Sequence, residues 1–141
     1  MITDIYYVIP EIFLSLSLMF LLILGVFKKN GSTLVYNLSL LILIITIPIL
    51  LNVPSTSEIL VFNESYKVDY LSIFIKILII VSTLFVLLTS SEYLKSTKIY
   101  NIEYPILILS SILGMMVMVS SNDLIVFYIG LELQSLALYV L

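Results

Sequence analysis

Apolar residues fall into five long runs along the chain, at about 10–27, 33–51, 70–89, 104–119 and 122–141, separated by short polar breaks. Each run is close to the roughly 20 apolar residues that a helix needs to cross a bilayer core of about 30 Å. Within the first run no polar face recurs at helical spacing, so that helix meets lipid or other helices on every side. Pro10 and Glu11 open it, with proline where its missing N–H is harmless and the acid at the positive end of the helix dipole. Pro48 sits near the end of the second run and predicts a local kink. The longest polar connection is 52–69, where Val61-Phe62-Asn63 is expected to form a short strand or turn. Ser120 to Asp123 make a tight break whose side chains suit the N-cap of the fifth helix.

The pattern predicts an all-α polytopic membrane protein: one transmembrane domain over residues 1–141, with five transmembrane helices. Composition agrees. The chain is 62% hydrophobic and 11% charged, too little polar surface to cover a water-soluble fold. A net charge of −3 argues against a nucleic-acid partner, which needs a basic patch. With no Cys and no His, thiolate metal sites and iron–sulfur ligation within the chain are excluded. Asp4 and Glu11 precede the first Lys, the reverse of a cleavable signal's basic start. Lys28, Lys29, Lys95 and Lys98 fall in the first and third loops, while Glu58, Glu64 and Asp69 dominate the second. The positive-inside rule then puts the N-terminus on the outer side, the intermembrane space or periplasm.

Candidate chemistry concentrates in the fifth run. Glu132 lies roughly 15 Å along a helix beginning near Asn122, about mid-membrane. An ionisable group there is costly unless it faces protein or water, and a proton or ion role is the default reading; interhelical hydrogen bonding is the structural alternative. Tyr128, Glu132, Ser135 and Tyr139 share one narrow sector of the helix, whereas Gln134 points elsewhere. Lys76, the other charge inside a run, is expected to snorkel to the outer interface or to pair with Asp69, with a secondary proton-path role as the alternative. Dipole or cap duty accounts for Glu11, Glu103 and Asp123. Met115, Met116 and Met118 read as packing, and Ser110, Ser111 and Gly114 as permitting close helix contact.

Three stretches carry a resemblance: Ile9-Pro-Glu-Ile-Phe-Leu14, Gly114-Met-Met-Val-Met-Val-Ser-Ser-Asn-Asp-Leu124 and Gly130-Leu-Glu-Leu-Gln-Ser-Leu-Ala-Leu-Tyr-Val-Leu141. They are similar to the antiporter-like membrane subunit of respiratory NADH:ubiquinone oxidoreductase (complex I), called subunit 2 in mitochondria and N in bacteria. The similarity runs over the whole chain but covers only about the first third of the family's length. It implies the N-terminal portion of a fold of about fourteen helices containing inverted repeats. Glu132 matches that family's fifth-helix glutamate, whose partner is a lysine on a later helix. The resemblance further implies a proton-translocating subunit of an enzyme complex, with no redox chemistry in this chain. NAD, FMN, iron–sulfur clusters and ubiquinone would be held by other subunits. The implied partners are other membrane subunits, lipid and, for a split or truncated subunit, a second polypeptide carrying the remaining helices. The implied location is the mitochondrial inner membrane, or alternatively the bacterial plasma membrane. A multisubunit cation/proton antiporter and a purely structural membrane subunit are the competing classes.

Overall fold

The computed structural model describes residues 2–27, 31–54, 58–97 and 101–141. Among the described residues there are six helices: α1 (Ile2–Tyr7), α2 (Ile9–Phe27), α3 (Ser32–Leu51), α4 (Tyr70–Ser96), α5 (Glu103–Val119) and α6 (Leu124–Val140). Between α3 and α4 lies an antiparallel hairpin of β1 (Ile59–Val61) and β2 (Tyr66–Val68), in the register Ile59↔Val68 and Val61↔Tyr66. The fold is mostly helical, as predicted, with this short hairpin as an addition to the all-α pattern. Val61 ends a strand, and Phe62, Asn63 and Glu64 make the turn with φ of 55°, 53° and 67°.

The predicted runs at 10–27, 33–51, 104–119 and 122–141 correspond to α2, α3, α5 and α6 within a few residues, and the short α1 was not foreseen. The third run differs more. α4 continues past residue 89 to Ser96, so Glu92 and Lys95 extend a helix rather than sit in a loop. Its 27 residues span about 40 Å, longer than a hydrocarbon core of about 30 Å, which carries that charged last turn beyond the apolar zone. α2, α3 and α4 are long and apolar enough to cross a membrane; α5 and α6 are apolar helices of 17 residues each. Lys28, Lys29 and Lys98, on which the predicted orientation leans, lie outside the described residues.

A seven-residue rhythm holds the bundle together. Leu14 and Leu21 on α2, Tyr36, Leu43 and Leu50 on α3, and Ile80, Leu87 and Leu94 on α4 are all buried, joined by Leu109, Ile112 and Met116 of α5. A repeat of seven keeps one seam of each helix facing its neighbours at a shallow left-handed crossing. The Tyr36 hydroxyl, buried in that core, donates to the Leu87 carbonyl oxygen and ties α3 to α4. Pro48 lies inside α3 as expected.

α4 starts on a capping box. Asp69 accepts from the Ser72 N–H at 2.8 Å, and the Ser72 hydroxyl oxygen accepts from the Asp69 N–H at 3.0 Å. Partial burial pushes the Asp69 carboxyl up, but Ser72 and then Lys67 outweigh it and hold the group below its ordinary range. Because the folded value is depressed, the contribution is present above the ordinary carboxylate range and is lost as pH falls through the lowered value. Asp69→Ala is expected to cost about 1 kcal/mol, with a deficit that shrinks at acid pH; thermal unfolding of both forms at neutral and acid pH checks it.

Candidate functional site

α6 packs on α5 through Gly130, and Ala137 on the same side is also buried. At about 100° per residue, Glu132 is turned to nearly the opposite side of the helix from Gly130. Tyr128, Ser135 and Tyr139 fall in that same opposite sector, so the predicted polar face exists and looks away from α5. Tyr128 is 61% exposed and Tyr139 84%, while Glu132 and Ser135 are half-buried. Tyr128 lies one turn before Glu132 and interacts with its carboxylate. The Ser135 hydroxyl donates back to the Leu131 carbonyl at 2.8 Å, which leaves its oxygen free to accept. Among the described residues no lysine pairs with Glu132. The face thus presents one carboxylate and two phenols on the side of α6 turned away from α5, where Tyr128 and Tyr139 are exposed and Glu132 is half-buried.

A second constellation was not predicted. Glu11, in the first turn of α2, and Lys76, in the second turn of α4, are 4% and 2% exposed and form an ion pair at 2.5 Å. The Tyr66 hydroxyl on β2 bridges them: it donates to Glu11 Oε1 at 2.6 Å and accepts from Lys76 Nζ at 2.9 Å. The ammonium also lies 5.1 Å from the centre of the Tyr66 ring. Burial pushes the Tyr66 phenol up, reinforced by the Glu11 charge, so it stays protonated as a donor. Two further buried oxygens, Glu11 Oε2 and Ser120 Oγ, lack a partner among the described residues.

This corrects two expectations. Lys76 neither snorkels nor pairs with Asp69, which instead caps α4 and lies 3.4 Å from Lys67. Glu11 does more than serve the helix dipole, because a carboxylate buried this deeply requires a cation and donors. A signal was available in the sequence. α2 and α4 start at the same end of an alternating bundle, and each carries one charge of opposite sign just inside that end. Asp123 occupies the N-cap position of α6, though its side chain makes no cap hydrogen bond. Glu103 stands in the first turn of α5 as expected.

Long apolar helices, three of them long and apolar enough to cross a membrane, with an enclosed ion pair and a mid-helix carboxylate, fit the class of integral membrane proteins. More particularly, the chain is homologous to proteins named NADH-quinone oxidoreductase subunit N. It is 63% identical over 135 residues to that subunit of Pelagibacter ubique (96% of this chain, 29% of the relative). Identity is 40% over 138 residues to the subunit of Paramagnetospirillum magneticum (98% and 28%) and 43% over 140 residues to that of Maricaulis maris (98% and 29%). The chain therefore spans under a third of the length of the curated relatives it matches. No protein-family profile matches it. These relatives are bacterial, which gives no support to the mitochondrial location implied by the resemblance.

Proposed function

We propose that this chain forms part of the proton-translocating membrane arm of a bacterial NADH-quinone oxidoreductase, with Glu132 as its proton-carrying group. The observation that carries the reading is the placement of Glu132, half-buried at mid-helix on the face of α6 turned away from α5. A carboxylate held there is stable where neighbouring helices bring a cation or water to it. Its proton affinity then follows the distance to that cation, because charges in a low-dielectric core act strongly on one another. Tyr128, Ser135 and Tyr139 supply hydroxyls along the same face for passing a proton to and from the carboxylate.

In this reading all five long helices cross the plasma membrane, with the N-terminus on the periplasmic side. The cation comes from the remainder of the subunit or from a second polypeptide, and other complex I subunits and lipid cover the exposed apolar faces. NAD, FMN, iron–sulfur clusters and quinone are held elsewhere in the complex. The name shared by the relatives favours this over a multisubunit cation/proton antiporter. Glu132→Gln keeps size and hydrogen bonding but cannot ionise. It is expected to leave assembly intact and to lower proton translocation in membrane vesicles by about a hundredfold or more, the low end of what a positioned acid–base group contributes. Normal pumping by an assembled Glu132→Gln complex would refute the role.

A further inference from the structure

The β-hairpin connects the two constellations. Two strands of three residues each are too short to hold their form in water alone. The turn also carries three consecutive non-glycine residues with positive φ, a conformation that persists only where its surroundings over-determine it. Those surroundings lie on two sides. On one, the Tyr66 hydroxyl is locked into the Glu11–Lys76 pair. On the other, the hairpin is bonded to the corner between α5 and α6. Tyr66 lies opposite Ser121 in an antiparallel pairing: the Lys67 N–H donates to the Ser120 carbonyl at 2.8 Å, and Asn122 donates through its backbone N–H to the Ser65 carbonyl at 2.9 Å and through Nδ2 to the Glu64 carbonyl at 2.7 Å.

α6 begins immediately after this corner, and its own N-cap side chain supplies no bond. The start of the helix is therefore set from the hairpin side. The corner leads directly into α6, which is one continuous helix to Val140, so a shift of the corner moves its start and Glu132 with it.

We infer that Tyr66 is a positioning residue for Glu132: its hydroxyl anchors the hairpin to the Glu11–Lys76 pair, and the backbone of its two neighbours, Ser65 and Lys67, holds the corner from which α6 starts. The inference rests on the proposed role of Glu132. A double-mutant cycle in the assembled complex tests it, comparing wild type, Tyr66→Phe, Glu132→Gln and the double variant. Proton translocation, NADH oxidation and the amount of assembled complex are measured in the same vesicles. Tyr66→Phe keeps the ring and removes the hydroxyl's hydrogen bonds to Glu11 and Lys76, so translocation is expected to fall about tenfold with assembly retained. The double variant is expected to pump no less than Glu132→Gln alone, since Tyr66 acts through Glu132. The pH profile of translocation is expected to shift in Tyr66→Phe. If Tyr66→Phe assembles poorly, Asn122→Ala takes its place in the cycle, because it cuts the hairpin's side-chain bond to the corner from the opposite side. Unchanged pumping and pH profile in the single variant, or losses that multiply in the double, would overturn the inference alone. Normal pumping by Glu132→Gln would overturn the proposed function and this inference with it.

Discussion

Lys76→Met is expected to destabilise the protein by about 3–5 kcal/mol, the cost of leaving one buried charge without its partner. Glu11 is 4% exposed and cannot turn to water, and its Oε2 already lacks a hydrogen-bond donor among the described residues. Once Nζ is removed, the Tyr66 hydroxyl is the one donor left to it in the cluster, at 2.6 Å. A single neutral donor does not replace an ammonium, so the carboxylate must either stay ionised at high cost or take up a proton. Combining Lys76→Met with Glu11→Gln removes both charges while keeping an acceptor for Tyr66. The double variant is therefore expected to recover most of the loss, since a buried pair is worth much less than either orphaned member costs. Thermal stability of the complex in detergent, measured for both single variants and the double, checks this. A double variant no more stable than Lys76→Met would show that the two charges do not compensate each other.

This pair also marks where reading the chain stops short. Helix positions were legible because runs of about twenty apolar residues have few alternatives in a membrane. Which side of each helix faces inward was not, because the helices are apolar all round and a seam offers no contrast against lipid-facing leucines. Leu43 is fully buried while Leu41, two residues earlier, is 53% exposed; nothing in their chemistry separates them. The seven-residue spacing of Tyr36, Leu43 and Leu50 was present in the sequence but hidden among equally apolar neighbours. On α6, by contrast, Tyr128, Glu132, Ser135 and Tyr139 stand out from an apolar background, so the sector they share is readable from their spacing. Glu11 and Lys76 were visible as opposite charges just inside the same end of the bundle, yet nothing in the sequence showed that the Tyr66 hydroxyl joins them, because it comes from a loop of weak pattern. The end of α4 was misjudged for a similar reason: Ser90, Ser91 and Glu92 look like a loop, although a helix emerging from the apolar zone tolerates polar residues in its last turns.

Gly114→Ala is the remaining substitution with a large expected cost, and its origin is backbone rather than charge. A methyl group built on Gly114 would stand 2.7 Å from the Gln134 nitrogen and 2.8 Å from the Gly130 carbonyl oxygen, both main-chain atoms of α6. No rotamer change relieves contacts of that kind, so the helices must separate. Gly130 meets the mirror situation, with its Cβ position 2.9 Å from both the Gly114 oxygen and the Met118 nitrogen. Small residues allow membrane helices to approach this closely, and van der Waals contact between backbones replaces the hydrophobic drive that lipid removes. Forcing the pair apart is expected to cost about 1–3 kcal/mol for Ala at Gly114, and more for Val, as overpacking does elsewhere. The functional consequence follows from geometry, because Gly130 and Glu132 lie two residues apart on the same rigid helix. Separating α5 from α6 displaces the carboxylate on the far side of α6 by a similar amount, and a shift of about 1 Å at a reacting group can cost on the order of a hundredfold in rate. Gly114→Ala should therefore lower both thermal stability and proton translocation, whereas Ser110→Ala, one turn earlier on α5 at a half-buried position, should change neither appreciably. Thermal melts and translocation assays on the two variants side by side distinguish a contact that sets helix spacing from a merely crowded one.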